Sequence, residues 1–376
     1  MKIQLSIWRK AVLFALAIFC LAVAAMATPI QLVTTIDPSV GPPASGGGNS
    51  MNPIITPDGR YVLFASTADN LALTSSNTPF LIQALPKMNV FLRDRTNGTT
   101  ALVSVNLAGT GGGNGNSVPI ELSTNGQYAL FESSASDLVP GDTNNVTDVF
   151  VRDLVHGTNI LVSIGMNGGF ANGVSGESAM TPDGRYVAFA STASNLVPGD
   201  ANGIRDVFVR DLVAGVTTLA SPGATGSGGS DLPQLTPDGR YVAFLSTATN
   251  LVPGVTTTGE VYVRDLTGLA TFLASTNAHA AFTNSPVPIV SYNHAISDNG
   301  RFVAFESSAN GLSGGGIIQR YDLQTGFTDM VYSNAVATPI GYPLFHNLDM
   351  TPDGRFIAFV GSVSASSCSL GVASTA

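Results

Sequence analysis

Cysteine is nearly absent. Cys20 and Cys368 are the two in 376 residues. Cys20 lies inside an N-terminal apolar run, so loss of that run leaves Cys368 alone and excludes an intrachain disulfide. Charge is scarce as well. Charged residues are 11 % of the chain, and the formal net charge is −9. So acidic a balance argues against nucleic acid or an anionic membrane surface as a partner. After the N-terminal run no segment carries a convincing apolar period of 3.6, so a helical core is not expected. Several catalytic signatures are missing. Gly173-Val174-Ser175-Gly176-Glu177 fails the Gly-x-Ser-x-Gly pattern at its last position. There is no His-Glu-x-x-His, no Walker loop and no dinucleotide fingerprint. The four histidines are His156, His279, His294 and His346.

The N-terminus reads as a secretory signal peptide over residues 1–27. Lys2, Arg9 and Lys10 precede an apolar stretch from Ala11 to Ala24, and Ala25-Met26-Ala27 is a small-x-small cleavage site. The alternative is an uncleaved anchor, for which 17 apolar residues stand at the short limit of a span. Cleavage removes three basic residues and leaves 13 against 25 acidic ones. Residues 28–376 are then the folded domain. Export without disulfides fits a bacterial periplasmic or secreted protein, with no membrane span once the signal is gone.

Glycine is abundant instead, 41 residues, and it is ordered by a repeat. Thr181-Pro182-Asp183-Gly184-Arg185 reads as a tight turn, and Tyr186-Val187-Ala188-Phe189-Ala190-Ser191 as the strand it opens. The phrase returns at residues 56–66, 236–246 and 351–362, with looser copies at 123–133 and 297–307. The turn glycines Gly59, Gly126, Gly184, Gly239, Gly300 and Gly354 are 54 to 67 residues apart. Each interval divides into four short strand-like pieces, the third typified by Asp206-Val207-Phe208-Val209-Arg210-Asp211-Leu212. Four antiparallel strands repeated six times predict an all-β, six-bladed propeller. Phe64, Phe131, Phe189, Phe244, Phe305 and Phe359 share one repeat position and are expected in the core between blades.

The last repeat lacks the Asp-Val-Phe-Val-Arg-Asp phrase and leaves 367–374 as its candidate third strand. Residues 31–36 resemble a fourth strand, so the N-terminal strand is expected to join the last blade and close the ring. The rival expectation is a defective sixth blade. Strand order puts the short turns on one face and all long loops on the other. The long-loop face and the channel mouth are therefore where a ligand is expected. His279, Tyr292, His294 and Tyr342 are the candidates there.

One loop motif suggests a cation. Asp142, Asn144 and Asp148, and again Asp200, Asn202 and Asp206, stand at relative positions one, three and seven of a glycine-containing loop. Calcium loops begin in this way, although position five is apolar and no bidentate Glu follows; the alternative is that the Asp residues hold their own turns. His279 and His294 could also meet across one connection and bind a metal with Asp298. The Arg-Asp pairs at 93–94, 152–153, 210–211 and 264–265 come once per blade, which argues for a structural role.

Thr-Pro-Asp-Gly-Arg-Tyr-Val-Ala-Phe-x-Ser, followed by Asp-Val-Phe-Val-Arg-Asp-Leu and a turn glycine, resembles the TolB-type β-propeller repeat over nearly all of 31–362. The resemblance implies six blades, a bacterial periplasmic setting and partner proteins of the envelope. TolB carries a further α/β domain before its propeller, for which these residues have no counterpart. Similar propellers gate prolyl peptidases, and some pectin-degrading lyases resemble them and use a metal held by His. Two expectations follow. The first is an exported, monomeric, non-enzymatic propeller that binds a protein or glycan of the envelope or exterior. The second is a metal-dependent lyase or hydrolase acting on polysaccharide at the channel mouth.

Overall fold

The computed structural model describes residues 33–34, 47–72, 87–223, 228–282, 287–309, 315–336, 348–364 and 367–374. The expected signal peptide and Tyr342 fall outside them. Blade one is formed by β1 (Ser50–Ile55), β2 (Tyr61–Ser66), β3 (Asn89–Asp94) and β4 (Thr99–Leu102). Blade two is β5 (Ser117–Leu122), β6 (Tyr128–Ser133), β7 (Asp148–Asp153) and β8 (Thr158–Leu161). Blade three is β9 (Ser175–Met180), β10 (Tyr186–Ser191), β11 (Asp206–Asp211) and β12 (Val216–Leu219). Blade four is β13 (Ser230–Leu235), β14 (Tyr241–Ser246), β15 (Glu260–Asp265) and β16 (Ala270–Leu273). Blade five is β17 (Ile289–Ile296), β18 (Phe302–Ala309), β19 (Gly315–Asp322) and β20 (Thr328–Val336). The sixth contributes β21 (Leu348–Met350), β22 (Phe356–Ser364) and β23 (Ser367–Ser374), so the candidate third strand is a strand. Within each blade consecutive strands pair antiparallel, and one bridge, Ala335 to Gly361, joins the fifth sheet to the sixth. Among the described residues no helix is long and apolar enough to cross a membrane.

The repeated turn is locked from inside. Thr181 Oγ1 donates to Asp183 Oδ1 at 2.6 Å, the same oxygen accepts from Arg185 N at 2.9 Å, and Gly184 N donates to Thr181 O at 2.8 Å. Gly184 then takes φ 79°, a conformation that costs a residue with a Cβ. A Cβ at Gly184 would also lie 2.4 Å from the Tyr128 ring of the blade before. Gly126 meets Tyr61, Gly239 meets Tyr186, Gly300 meets Tyr241 and Gly354 meets Phe302 in the same way, at 2.2 to 2.5 Å. So the local turn is also an inter-blade latch. The arginine of the turn closes it. Arg60 bonds Asp94 at 2.9 Å, Arg185 bonds Asp211 at 2.8 Å, and Arg240 and Arg301 bond Asp265 and Asp322 at 2.7 Å. Each guanidinium lies over its neighbouring aromatic ring, 4.5 to 4.7 Å from the centroid. The repeated Arg and Asp are structural, but Asp94, Asp211 and Asp265 pair with the turn arginine, and Asp153 with His156, none with the Arg beside it. Adjacent residues on a strand face opposite sides.

The core lies between blades. Phe64, Phe131, Phe189, Phe244 and Phe305 are buried. In blades one to four each stacks on its cross-strand partner: Phe91, Phe150, Phe208 and Tyr262, with centroids 5.5 to 5.9 Å apart. In blades one to four the residue after the fourth strand packs on the next blade. Val103 joins the core of Phe131 and Phe150, Val162 that of Phe189 and Phe208, Ala220 that of Phe244, and Ala274 that of Phe305. Val33 takes this place against Phe64 and Phe91 of blade one. That is the packing expected of a segment completing the sixth blade. The rest of the expected closing strand, 31–36, lies outside the described residues.

Candidate functional site

The first strands of successive blades contact one another and line the centre of the ring. Their inner edges carry N–H groups that no further strand can satisfy, a need every sheet edge must meet. Acidic side chains of the preceding blade meet it here. Glu121 Oε2 accepts from Met180 N at 2.6 Å. Glu132 Oε1 accepts from Ser178 N at 3.0 Å and Ser178 Oγ at 2.8 Å. Glu177 Oε2 accepts from Leu232 N at 3.2 Å, while its Oε1 pairs with Arg205 at 3.0 Å. Asp231 lies beside Glu177 and Arg205, and both act on its charge. Burial pushes Glu121 up to about 7 and Asp231 up to about 6, and raises Glu132. Each first strand in blades one to five is bulged, and Asn52, Glu177, Leu232 and Asn293 adopt positive φ at the bulge. Asp231, Glu177, Glu132 and Arg205 sit toward the long-loop end of their strands. They form an acid-lined mouth that the repeat-based reading missed. One signal was available: Glu132 and Glu306 occupy a second-strand position filled by Ala65, Ala190 and Leu245 in other blades.

The long loops around that mouth are tied down by a repeated polar lattice. Asn172 N donates to Asn195 Oδ1 at 3.0 Å, Asn172 Nδ2 donates to Ser194 Oγ at 2.9 Å, and Ser194 N returns a bond to Asn172 Oδ1 at 2.8 Å. Asn114 repeats the pattern with Asp137 and Ser136. Leu107 and Met166 stand exposed at equivalent tips of this lattice.

The six residues of the loop motif lie at the entries to β7 and β11. Asp148 accepts from Ser163 Oγ and Asn144 Nδ2, both at 2.7 Å. Asp206 accepts from Ser221 Oγ at 2.6 Å and Asn202 Nδ2 at 3.0 Å. Each asparagine uses its Oδ1 on the turn itself, accepting from Val146 N at 3.2 Å or Ile204 N at 2.8 Å. The asparagines therefore face the carboxylates as donors. Burial pushes Asp148 up to about 6 and raises Asp206, with Asp142 and Asp200 adding to the rise in their respective loops. In blade four Glu260 opens the third strand in place of Asp. Its carboxylate takes Ser275 Oγ and, at 2.6 Å, His279 Nε2.

His279, Tyr292 and His294 are not gathered on one loop. His279 starts a 3₁₀ turn, His279–Phe282, in the connection between blades four and five. Tyr292 and His294 were expected on or beside that connection, but both are buried within β17. The strands of blade five run to eight or nine residues where those of blades one to four have four or six, so β17 begins at Ile289 and takes in what the repeat length assigned to a loop. Tyr292 Oη donates to Glu306 Oε1 and lies in hydrogen-bond contact with Ser308 Oγ, both at 3.1 Å. Asp298 stands in the short turn at the other end of that strand, where its N–H donates to Pro352 O. Among the described residues no three His, Cys, Asp or Glu side chains are grouped to hold a metal.

No family model matches the chain, and no curated relative matches it. Solved structures do. An oligogalacturonate lyase in complex with manganese aligns at TM-score 0.50 with 15 % identity, covering 92 % of this chain and 81 % of that one. A prolyl endopeptidase aligns at TM-score 0.50 with 13 % identity over 87 % of this chain. The fold is a β-propeller. TolB from Acinetobacter baumannii aligns at TM-score 0.42 with 14 % identity over 77 % of this chain. The chain spans 57 % of that TolB and 42 % of the prolyl endopeptidase. The propeller reading of the repeat holds, and identities this low carry the fold alone.

Proposed function

We propose that this chain is an exported, non-enzymatic β-propeller that acts as a monomer and binds a protein or glycan partner through its long-loop face. The observation that supports it is the mouth itself: Glu132, Glu177 and Asp231 converge on a rim whose loops are held rigid by the Asn172 and Asn114 lattices. A rigid frame costs little ordering on binding. A negative mouth favours a partner that presents Lys, Arg or a dense array of hydroxyl donors, and makes its capture sensitive to salt. The second expectation, a metal-dependent enzyme acting on polysaccharide, draws only on the lyase likeness, which concerns the fold.

The test is capture from envelope and culture-supernatant extracts with purified chain and two variants. Glu177→Gln with Asp231→Asn alters the mouth. Val213→Asp alters an exposed hairpin tip on the short-turn face. The expected result is that the mouth variant loses the captured partner and Val213→Asp keeps it. The reverse pattern overturns the proposal, as does turnover of a polysaccharide by the unaltered chain.

A further inference from the structure

Asp200 is a nine-tenths buried carboxylate, 9 % exposed, and its Oδ1 has no hydrogen-bond partner among the described residues. Leaving such an oxygen dry and unpaired is costly, more so beside a second carboxylate. That second carboxylate is Asp206. Its two oxygens take one hydrogen bond each, from Ser221 and Asn202, and a carboxylate oxygen can accept a second partner. Blade two carries the same residues at the same spacing, though there the first Asp has a partner. Asp142 is buried to the same extent, with only a long 3.4 Å bond from Asn144 N, and Asp148 is held by Ser163 and Asn144.

We propose that blades two and three each hold a calcium-class cation at the loop before the third strand, between Asp142 and Asp148 and between Asp200 and Asp206. The donors are oxygens only, without thiolate or imidazole, which suits a hard cation and not zinc or copper. Asn144 and Asn202 are not ligands. Their amides hold Asp148 and Asp206 in place, and the remaining coordination falls to loop carbonyls and water. Blade four shows how the same strand entry is completed without a cation. There Glu260 replaces the second Asp, no counterpart of Asp200 precedes it, and the protein supplies its own partners in His279 and Ser275. Two sites, not three, are therefore expected. The proposal stands independently of the binding face.

The experiment is calorimetric titration of the chelator-stripped full chain with calcium chloride, and separately with magnesium chloride, alongside the melting temperature. Two equivalents of calcium are expected to bind in the range of extracellular modules, about 10⁻⁴ to 10⁻³ M, with a rise in melting temperature. Asp200→Asn keeps an acceptor for the turn and is expected to lower the stoichiometry from two to one. Glu260→Gln leaves it at two. Absence of heat and of any melting shift in the unaltered chain at ~10⁻² M calcium overturns the proposal. So does unchanged stoichiometry in Asp200→Asn, and a magnesium response equal to that of calcium overturns the calcium class. The titration of the unaltered chain decides the matter even if a variant does not fold.

Discussion

On the short-turn face Asp211, Asp265 and Asp322 each take two bonds from a turn arginine, and that guanidinium holds them at about 2. On the loop face and the channel wall burial lifts Asp148 and Asp231 to about 6 and Glu121 to about 7. The same residue types therefore respond to pH in opposite directions. A carboxylate held below its unfolded value of 3.8 adds stability above that pH and loses it as pH falls toward 2. One raised above its unfolded value is most favourable in acid, and its contribution is lost as pH rises toward 6 or 7. The difference separates carboxylates paired with arginine from carboxylates on which burial is the dominant influence. The arginine pairs lie within a blade, whereas Glu121 and Glu132 reach across to the strand edge of the next one.

The largest expected effect tests the latch. Gly184 and Gly168 share a left-handed backbone, φ 79° and 74°, but a Cβ at Gly184 meets Tyr128 whereas one at Gly168 meets nothing within 4 Å. Gly184→Ala should cost about 3 kcal/mol, from strain plus overpacking. Gly168→Ala should cost about 1 kcal/mol from strain alone. Denaturant unfolding of both checks the gap, and equal losses would break the contrast between the faces. The next effect is in pH. Stability of the parent should fall as pH rises from 4.5 to about 7, where Glu121 ionises in the fold, and Glu121→Gln should flatten that fall. Urea midpoints at pH 5 and pH 8 measure it, and a parallel decline in the variant would remove Glu121 as a cause. Arg185→Gln should have a small effect on the urea midpoint, because the pair with Asp211 is solvent-screened. Gln127 already stands at that place in blade two, where His156 serves Asp153 instead. Smallest is Asn172→Ala, at about 0.5 kcal/mol for exposed bonds in the loop lattice. Its sharper sign should be faster amide exchange at Asn172 and Ser194, with the short-turn face unchanged.

Much of the fold was legible because its signals are local. Gly184 and its five counterparts mark turns by backbone need. The Phe189 position marks a buried strand by alternation, and 367–374 was recognisable as a strand even without the repeat phrase. The site was less legible. Tyr292 and His294 were placed by repeat length, and the longer strands of blade five drew them into the sheet. In that blade Gln319 stands across from Phe305 where blades one to four have an aromatic, an irregularity that marks blade five as different from them without telling its strand lengths. Asn144 and Asn202 carried the right spacing for a cation loop, yet their amide orientation depends on Val146 and Ile204 N–H groups that spacing does not show.

From the sequence alone follow the repeat, the turn that opens each second strand, the phenylalanine core and the face on which long loops gather. Each depends on contacts within a few residues or on strict alternation along a strand. Only the tertiary structure decided that the turn glycine seats on the preceding blade's ring, and that Glu132 meets Ser178, 46 residues away. It alone set Glu177 between Arg205 and the edge of blade four. Those meetings depend on how one blade is staggered against the next, and a side chain that caps a neighbour's strand edge leaves at most an odd polar residue in its own strand, with nothing there to name its partner.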